Sequence, residues 1–321
     1  MRLGQRIDAA QKVSRSPRRR ENAFKSAIKT GKGLPKRYHW NEKQLKGNPR
    51  SAKDYLVAAP VTILVFDSGL GGLTVLREIV AARPDAHYVY VADDAFFPYG
   101  HHGEDEIIAR VVPLIGELIA THRPDLIVIA CNTASTLVLS HLRERYQVPF
   151  VGTVPAIKPA CAGSKTKRVS VLGTKGTVKR EYTRALIRDF AQGCEVTLVG
   201  SADLAALAEA ALSGGAVSDA QISAELAPCF IGASEHAASR TDTIVLACTH
   251  YPLLMERFLR LAPWPVAWVD PAPAIARRVT NLLNTPISGT DEAGAEMIFT
   301  SGRPHRLSRT LVPFFGGRVP A

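Results

Sequence analysis

The sequence lacks any hydrophobic run that approaches the roughly 20 residues needed to span a bilayer. It also lacks the apolar segment of a secretory signal near its start. Its five cysteines are an odd number without the spacing of a disulfide framework. These absences exclude a membrane protein and a small secreted disulfide scaffold. We therefore expect a soluble protein of a reducing compartment, with one large domain or two medium ones in its 321 residues.

Acidic residues are scarce relative to basic ones only in the N-terminal 60 residues. Residues 1–60 hold 16 Lys and Arg against 4 Asp and Glu, a net charge of +12. The rest of the chain holds 24 against 25, a net charge of −1. With few aliphatic residues and no sustained periodicity, residues 1–60 are predicted to be a basic, mostly disordered extension. Three other interpretations stay open: nucleic-acid binding through "SPRRR", a transit peptide, or a start site placed too far upstream.

Two common cofactor signatures are also missing. The stretch "DSGLGGLT" resembles a dinucleotide loop, but counting from Gly69 the sixth position of that fingerprint is Thr74 rather than glycine. The Cys-Thr-His sequence at 248–250 lacks the ligand spacing of a zinc site. We therefore expect neither a nicotinamide cofactor nor a metal. A hydrolase with a cysteine nucleophile activated by His250 is a further alternative, but it would assign no role to Cys131.

From Val61 onward, the sequence alternates regularly between apolar runs and amphipathic stretches. The runs "VTILVFD", "AHYVYVA" and "PDLIVIA" are typical of strands buried on both faces, and a helical pattern follows each. The alternation restarts at "RVSVLGT" and continues through "CEVTLVG" and "TDTIVLA". This pattern predicts an α/β fold of two pseudo-symmetric lobes, each a mostly parallel sheet flanked by helices.

Two similar stretches carry the candidate chemistry: "LIVIACNTAS" at 126–135 and "TIVLACTHYP" at 243–252. Each is an apolar run that ends in a cysteine, and Cys131 and Cys248 lie 117 positions apart. Ligands of open α/β sheets bind beyond the carboxyl ends of the strands, where both cysteines are predicted to lie. The repeat therefore predicts an active site in the cleft between the lobes, with one thiol from each.

Both cysteines are predicted to precede a helix, whose positive end lowers the pKa of a thiol. Two thiols on opposite faces of a carbon centre could remove and deliver a proton in either direction. Asp67 and His250 are a carboxylate and an imidazole available to assist them. Hydroxyl and amide side chains near strand ends, with backbone N–H groups at helix starts, could hold carboxylates. These side chains belong to Ser68, Asn132, Thr133, Thr177 and Thr249. Cys161, Cys194 and Cys229 lack such settings and are interpreted as small hydrophobes.

Five motifs in order resemble those of the glutamate racemases, pyridoxal-independent members of the aspartate/glutamate racemase superfamily. They are "FDSGLGGLTVL", "ADDAFFPYG", "ACNTAS", "VPAIKPA" and "ACTHYPLL". The resemblance runs from about Ile63 to the C-terminus and does not include residues 1–60. One departure is Asp94, where threonine is commoner in the family.

The resemblance implies roles for individual residues. Cys131 would take the α-proton from D-glutamate with help from Asp67, and Cys248 would take it from L-glutamate. His250 and Glu209, in "LAALAE", would assist Cys248. The implied substrate contacts are Asp67, Ser68, Tyr99, Gly100, Asn132, Thr133, Thr177, Thr249 and His250.

The resemblance also implies cofactor-independent production of D-glutamate for peptidoglycan in a bacterial cytoplasm, by a homodimer. The implied division places residues 61–155 and 270–321 in the first lobe and 156–269 in the second. "VDPAPAIARRVTNLL" would lead the chain back to the first lobe, and "EMIFTSG" would add a strand there. The alternatives are an aspartate or broad-specificity amino-acid racemase, or nucleic-acid binding through the basic extension.

Overall fold

The computed structural model describes residues 38–40, 56–58, 60–191, 193–232, 239–285, 287, 293–302 and 309–321. The chain divides into two compact units, Met1–Ala59 and Pro60–Ala321. In the first unit, strand β1 (Tyr38–Trp40) pairs antiparallel with β2 (Leu56–Ala58). The prediction of a mostly disordered extension, and the "SPRRR" stretch considered for nucleic-acid binding, otherwise fall on residues outside the described ranges.

The second unit contains two parallel sheets. The first sheet has the order β11-β4-β3-β5-β6 and the second has the order β10-β9-β7-β8. The first-sheet strands are β3 (Thr62–Asp67), β4 (His87–Ala92), β5 (Leu126–Ile129), β6 (Phe150–Gly152) and β11 (Ala295–Phe299). The second-sheet strands are β7 (Arg168–Thr174), β8 (Glu195–Ser201), β9 (Thr243–Ala247) and β10 (Ala267–Val269). Every pairing within the two sheets is parallel.

Helices cover both faces of each sheet. The helices associated with the first sheet are α1 (Leu73–Ala82), α2 (Glu104–His122), α3 (Asn132–Arg145) and α10 (Ala272–Leu283). Those of the second are α4 (Ile157–Gly163), α5 (Lys175–Lys179), α6 (Glu181–Phe190), α7 (Leu204–Leu212), α8 (Asp219–Leu226) and α9 (Met255–Leu261). Among the described residues, no helix is both long enough and apolar enough to cross a membrane.

We call each parallel sheet with its covering helices a lobe, the first lobe being that of β3. Each lobe has two hydrophobic cores, one on either face of its sheet. In the first lobe, α1 and α10 pack on one face and α2 and α3 on the other. In the second, α7, α8 and α9 pack on one face, while α4 and α6 pack on the other. Strands buried on both faces are therefore largely apolar, which is why the sequence pattern identified them.

The chain passes between the lobes twice. It leaves the first sheet after β6 and enters α4, and it returns between β10 and α10. Helix α10 packs on α1, and β11 pairs with β4 at the edge of the first sheet. Loops that follow the carboxyl ends of strands in both sheets consequently meet at one place.

Candidate active site

A small cavity lies where the loops of the two lobes meet. The space between its lining atoms, which is partly open to solvent, is about 290 Å³. The first lobe contributes Ser68, Phe97, Pro98, Tyr99, Gly100, Cys131, Asn132 and Thr133 to its lining. The second contributes Thr174, Ala205, Cys248, Thr249 and His250. Both predicted cysteines thus line one cavity.

Cys131 precedes helix α3 as its N-cap residue and is 6% exposed. Its thiol lies 3.7 Å from the Ser68 hydroxyl oxygen, toward which it donates. Burial raises the pKa of the Cys131 thiol, and the nearby Asp67 carboxylate raises it further, against the lowering effect of the Ala134 N–H. The sequence prediction of a lowered pKa is wrong here, because desolvation of a buried thiolate outweighs the helix end.

Cys248 occupies a different local setting from Cys131. It follows β9, but a turn and a 3-10 helix (Tyr251–Leu254) separate it from α9. The prediction that an α-helix begins directly after this cysteine is therefore wrong. The Cys248 sulfur instead contacts the side chain of His250, whose Nδ1 lies 3.8 Å away.

His250 connects Cys248 to two groups at its other ring nitrogen. Nε2 lies 2.9 Å from the Glu209 carboxylate and 3.2 Å from the backbone nitrogen of Gly71. Burial lowers the pKa of His250, but hydrogen bonds to Cys248 and Glu209, with the nearby charges, raise it well above its ordinary value. The protonated ring donates from Nε2 to Glu209, whereas the neutral ring can accept there from Gly71.

The glycine-rich loop after β3 allows the second lobe to approach closely. The Leu70 N–H donates to Glu209 Oε1 at 2.6 Å. A Cβ atom on Gly69 would lie 2.0 Å from that same oxygen, and one on Gly71 would lie 2.3 Å from His250 Nδ1. These glycines therefore provide space for acid and imidazole side chains, which accounts for the near-match to a dinucleotide loop.

Asp67 and Asn132 have polar atoms without hydrogen-bond partners among the described residues. Asp67 is fully buried at the end of β3; its Oδ2 accepts from the Gly72 N–H at 2.6 Å, while Oδ1 has no partner. Burial raises the pKa of Asp67, against the lowering effects of His250 and Gly72. Both polar atoms of the Asn132 side chain are buried and unpaired. Because buried polar groups are normally paired, the cavity-lining Asn132 can bind a ligand there.

Three threonine hydroxyls join the lobes at the cavity. Thr133 lies on α3, and Thr174 and Thr177 lie at the start of α5. The oxygen–oxygen distance is 3.0 Å for Thr133–Thr174 and 3.1 Å for each of the other two pairs. Two of these three hydrogen bonds cross between the lobes.

Comparison with known proteins finds racemases that match most of the chain. A family model described as Asp/Glu/Hydantoin racemase matches residues 63–279. The glutamate racemase of Sinorhizobium medicae is 54% identical over 265 residues, covering 81% of this chain and 95% of that protein. This chain belongs to the Asp/Glu/Hydantoin racemase family. The glutamate racemase of Brucella canis is likewise 54% identical, over 266 residues, covering 82% of this chain and 95% of its own length.

Solved structures of racemase-family members share the fold. A crystal structure of Escherichia coli glutamate racemase, in complex with L-glutamate and the activator UDP-MurNAc-ala, has a TM-score of 0.69 at 41% identity. The match covers 80% of this chain and 94% of that one. The glutamate racemase of Aquifex pyrophilus has a TM-score of 0.61 at 30% identity, covering 81% of this chain and 97% of that one. The predicted α/β class with two parallel sheets is confirmed.

Within this racemase-family chain, the predicted site residues occupy two layers. Asp67, Glu209 and Thr177 do not line the cavity; they contact lining residues. The remaining predicted residues line it directly: Ser68, Tyr99, Gly100, Cys131, Asn132, Thr133, Cys248, Thr249 and His250.

Phe97 also lines the cavity, although its sequence pattern did not indicate a role for it. Its ring lies 5.4 Å from that of His250, measured between centroids. Phe97 belongs to the motif "ADDAFFPYG", and its position close to Tyr99 and Gly100 in that motif could have indicated that it lines the site. The motif does not distinguish which of its two phenylalanines faces the second lobe.

Proposed function

We propose that this chain interconverts L- and D-glutamate by proton transfer between two cysteines, without a cofactor. The observation that carries the proposal is one small cavity lined by Cys131 from one lobe and Cys248 from the other. Inversion at a carbon requires a base on one face and an acid on the other. The names of relatives more than half identical over most of the chain support glutamate as the substrate.

In the proposed mechanism the two cysteines start in different protonation states. The raised pKa of Cys131 keeps its thiol protonated and ready to donate. A protonated His250 would place its positive charge 3.8 Å from the Cys248 sulfur. The Cys248 thiolate removes the α-proton of L-glutamate, and Cys131 delivers its own proton to the opposite face, which yields D-glutamate. The reverse reaction exchanges the two roles.

The other predicted residues have supporting positions in this scheme. Asp67 would assist Cys131, and Glu209 would hold His250 in its protonated state. The unpaired amide of Asn132, with the hydroxyls of Thr133 and Thr249, would bind substrate carboxylates. We further propose that residues 61–155 with 270–321 and residues 156–269 are the two lobes. A homodimer, a role in peptidoglycan synthesis and a cytoplasmic location complete the proposal, and all three rest on the family resemblance.

The direct test follows optical rotation. The purified chain, dialysed against a chelator and given no pyridoxal phosphate, is incubated with L-glutamate and, separately, with L-aspartate. Loss of rotation with L-glutamate alone is the expected result. Loss of rotation with aspartate, alone or as well, would favour the aspartate or broad-specificity alternative. Activity that requires added pyridoxal phosphate or metal would reject the two-cysteine mechanism.

The division of labour between the cysteines has its own test, with deuterium as the label. A serine hydroxyl is a far poorer base than a thiol, so each serine variant lacks one competent base. Cys131→Ser should lose racemisation yet exchange the α-proton of L-glutamate through Cys248. Cys248→Ser should do the same with D-glutamate through Cys131. The control is Cys194→Ser, which changes a partly exposed cysteine outside the cavity lining and should keep full activity.

Equal labelling of both enantiomers by both variants would contradict the two-base scheme. Near-normal racemisation by either variant would remove that cysteine from the mechanism.

A further inference from the structure

The loop between β4 and α2 carries Tyr99 and Gly100 into the cavity, and a buried carboxylate lies at its root. Asp93 immediately follows β4, is fully buried, and donates its N–H to the carbonyl of Asp67 at 2.8 Å. Asp93 Oδ2 accepts the Tyr99 hydroxyl proton at 2.6 Å. Asp93 is thus bonded both to the strand end that carries Asp67 and to a side chain of the cavity wall.

Two further residues hold Asp93 in place. The Arg110 guanidinium, on α2, donates from Nη2 to Oδ1 at 2.6 Å and from Nε to Oδ2 at 3.1 Å. The Thr300 hydroxyl donates to Oδ1 at 2.5 Å. Burial raises the pKa of Asp93, but hydrogen bonds from Arg110, Thr300 and Tyr99 lower it below its ordinary value. Asp93 is therefore an ionised carboxylate whose two oxygens each accept two hydrogen bonds.

Thr300 comes from the far end of the chain, directly after β11. Its N–H donates to the Ala92 carbonyl at 3.1 Å, and its hydroxyl oxygen lies 3.3 Å from the N–H of Ala95, from which it can accept. The next residue, Ser301, donates to the Asp94 carboxylate from its N–H at 2.9 Å and from its hydroxyl at 2.5 Å. The turn after β11 therefore holds the start of the cavity loop through both backbone and side chains.

The position of this loop affects how closely the two lobes approach. A Cβ atom on Gly100 would lie 3.2 Å from Thr174 of the second lobe, so the backbone there is already close to that lobe. A displacement of the loop would move the Tyr99 wall and alter this contact. Misplacement of binding groups by about 1 Å can cost as much as a hundredfold in rate.

We propose that Asp93, held by Thr300 and Arg110, is a positioning residue that sets Tyr99 and Gly100 for substrate binding. The turn after β11 thereby contributes to the site without touching the substrate. This inference rests on the proposed function. Its predicted signature is a rise in KM that exceeds the fall in kcat, because the affected residues form the cavity wall and include neither thiol.

Thr300→Val is the first test, because it removes the hydroxyl at nearly constant volume. We expect KM for glutamate to rise about tenfold and kcat to fall less than threefold. Thr300→Ser, which keeps the hydroxyl, should stay within twofold of the wild type in both constants. The matched control is Thr280→Val on α10, whose hydroxyl donates to the Ala276 carbonyl of its own helix at 3.1 Å. It should leave both constants unchanged.

A double variant tests whether Thr300 acts through Asp93. Residues that share one network do not have additive effects. The KM of Asp93→Asn with Thr300→Val should therefore be no more than about twice that of Asp93→Asn alone. A KM raised by the product of the two single effects would overturn the shared network.

Hydrogen–deuterium exchange provides a measurement that is independent of turnover. Faster exchange over residues 94–103 in Thr300→Val, but not in Thr280→Val, is expected. Unchanged exchange there, or faster exchange with an unchanged KM, would overturn the inference. If the wild-type chain does not racemise glutamate, the proposed function is rejected. The rate of hydrogen–deuterium exchange in residues 94–103 then decides whether Thr300 holds this loop, without kinetic data.

Discussion

Replacement of Gly71 by alanine should disable the His250 side of the site. The new Cβ would lie 2.3 Å from His250 Nδ1, about 1.1 Å inside the 3.4 Å at which ordinary contact begins. The ring is 2% exposed and bonded to Glu209, while the loop is held by the bonds from Leu70 to Glu209 and from Gly72 to Asp67. Neither the ring nor the loop has free space to move into. The added methyl group must therefore force the His250 ring out of its position by roughly 1 Å.

A shift of that size should lower kcat/KM about a hundredfold, which corresponds to about 2.7 kcal/mol in the barrier. Racemisation of glutamate followed by circular dichroism provides the measurement. Because the two enantiomers have equal free energies, kcat/KM must fall equally in both directions. The two directions should differ instead in the exchange of the α-proton with solvent deuterium. This exchange should fall further for L-glutamate, because His250 contacts Cys248, the proposed base for that enantiomer.

The control is Gly163→Ala at the end of α4, where an added Cβ meets no atom within 4 Å. It should keep full activity and gain up to about 1 kcal/mol in stability, because alanine is the better helix former. Activity of Gly71→Ala within threefold of the wild type would refute the steric reasoning. Equal loss of exchange for both enantiomers would refute the assignment of His250 to Cys248.

Three further predictions concern stability and the basic extension. Asp93→Asn should reduce the free energy of unfolding in urea more at pH 7 than at pH 3. The lowered pKa of Asp93 gives stability that is present above about pH 4 and is lost as the pH falls through the folded-state value; an equal reduction at both pH values would contradict this. Arg83→Met should cost about 3 kcal/mol, because it removes the buried guanidinium that pairs with the Asp85 carboxylate at 2.8 Å. Arg77→Met, at an exposed pair, should cost less than about 1 kcal/mol in the same assay. A chain shortened to begin at Val57 should keep its turnover within tenfold, or about 1.4 kcal/mol in barrier; a larger loss would show that the basic segment shapes the site, and loss of DNA retention alone would assign it to nucleic-acid binding.

Most of the fold could be predicted from the sequence because the central strands of both sheets, such as β3, β5 and β9, are buried on both faces. Parallel strands in this setting are continuous apolar runs, and the helices between them have a different period. Local pattern could not establish the backbone conformation directly after Cys248. The sequence predicted a helix after this cysteine, but the chain first forms a 3-10 helix, and α9 begins only at Met255.

The site was less predictable wherever a contact joins distant parts of the chain. Gly71 and His250 are 179 positions apart, and Asp93 and Thr300 are 207 apart. No local spacing indicates either pair. The acidity of Cys131 was misjudged for a related reason. The helix that follows it is visible in the sequence, whereas the surrounding atoms that exclude water come from many segments.

The threonine triangle has a consequence that comes from counting protons. Thr133, Thr174 and Thr177 supply three hydroxyl protons, and the three oxygen–oxygen contacts between them require one proton each. A carboxylate that accepts from Thr133 or Thr174 must therefore take a proton already used within the triangle. Each hydrogen bond so given up has a net worth of only about 1 kcal/mol, so the exchange is easy. Where the lost bond is one of the two that involve Thr133, binding an anion at this end of the cavity also loosens the attachment of one lobe to the other.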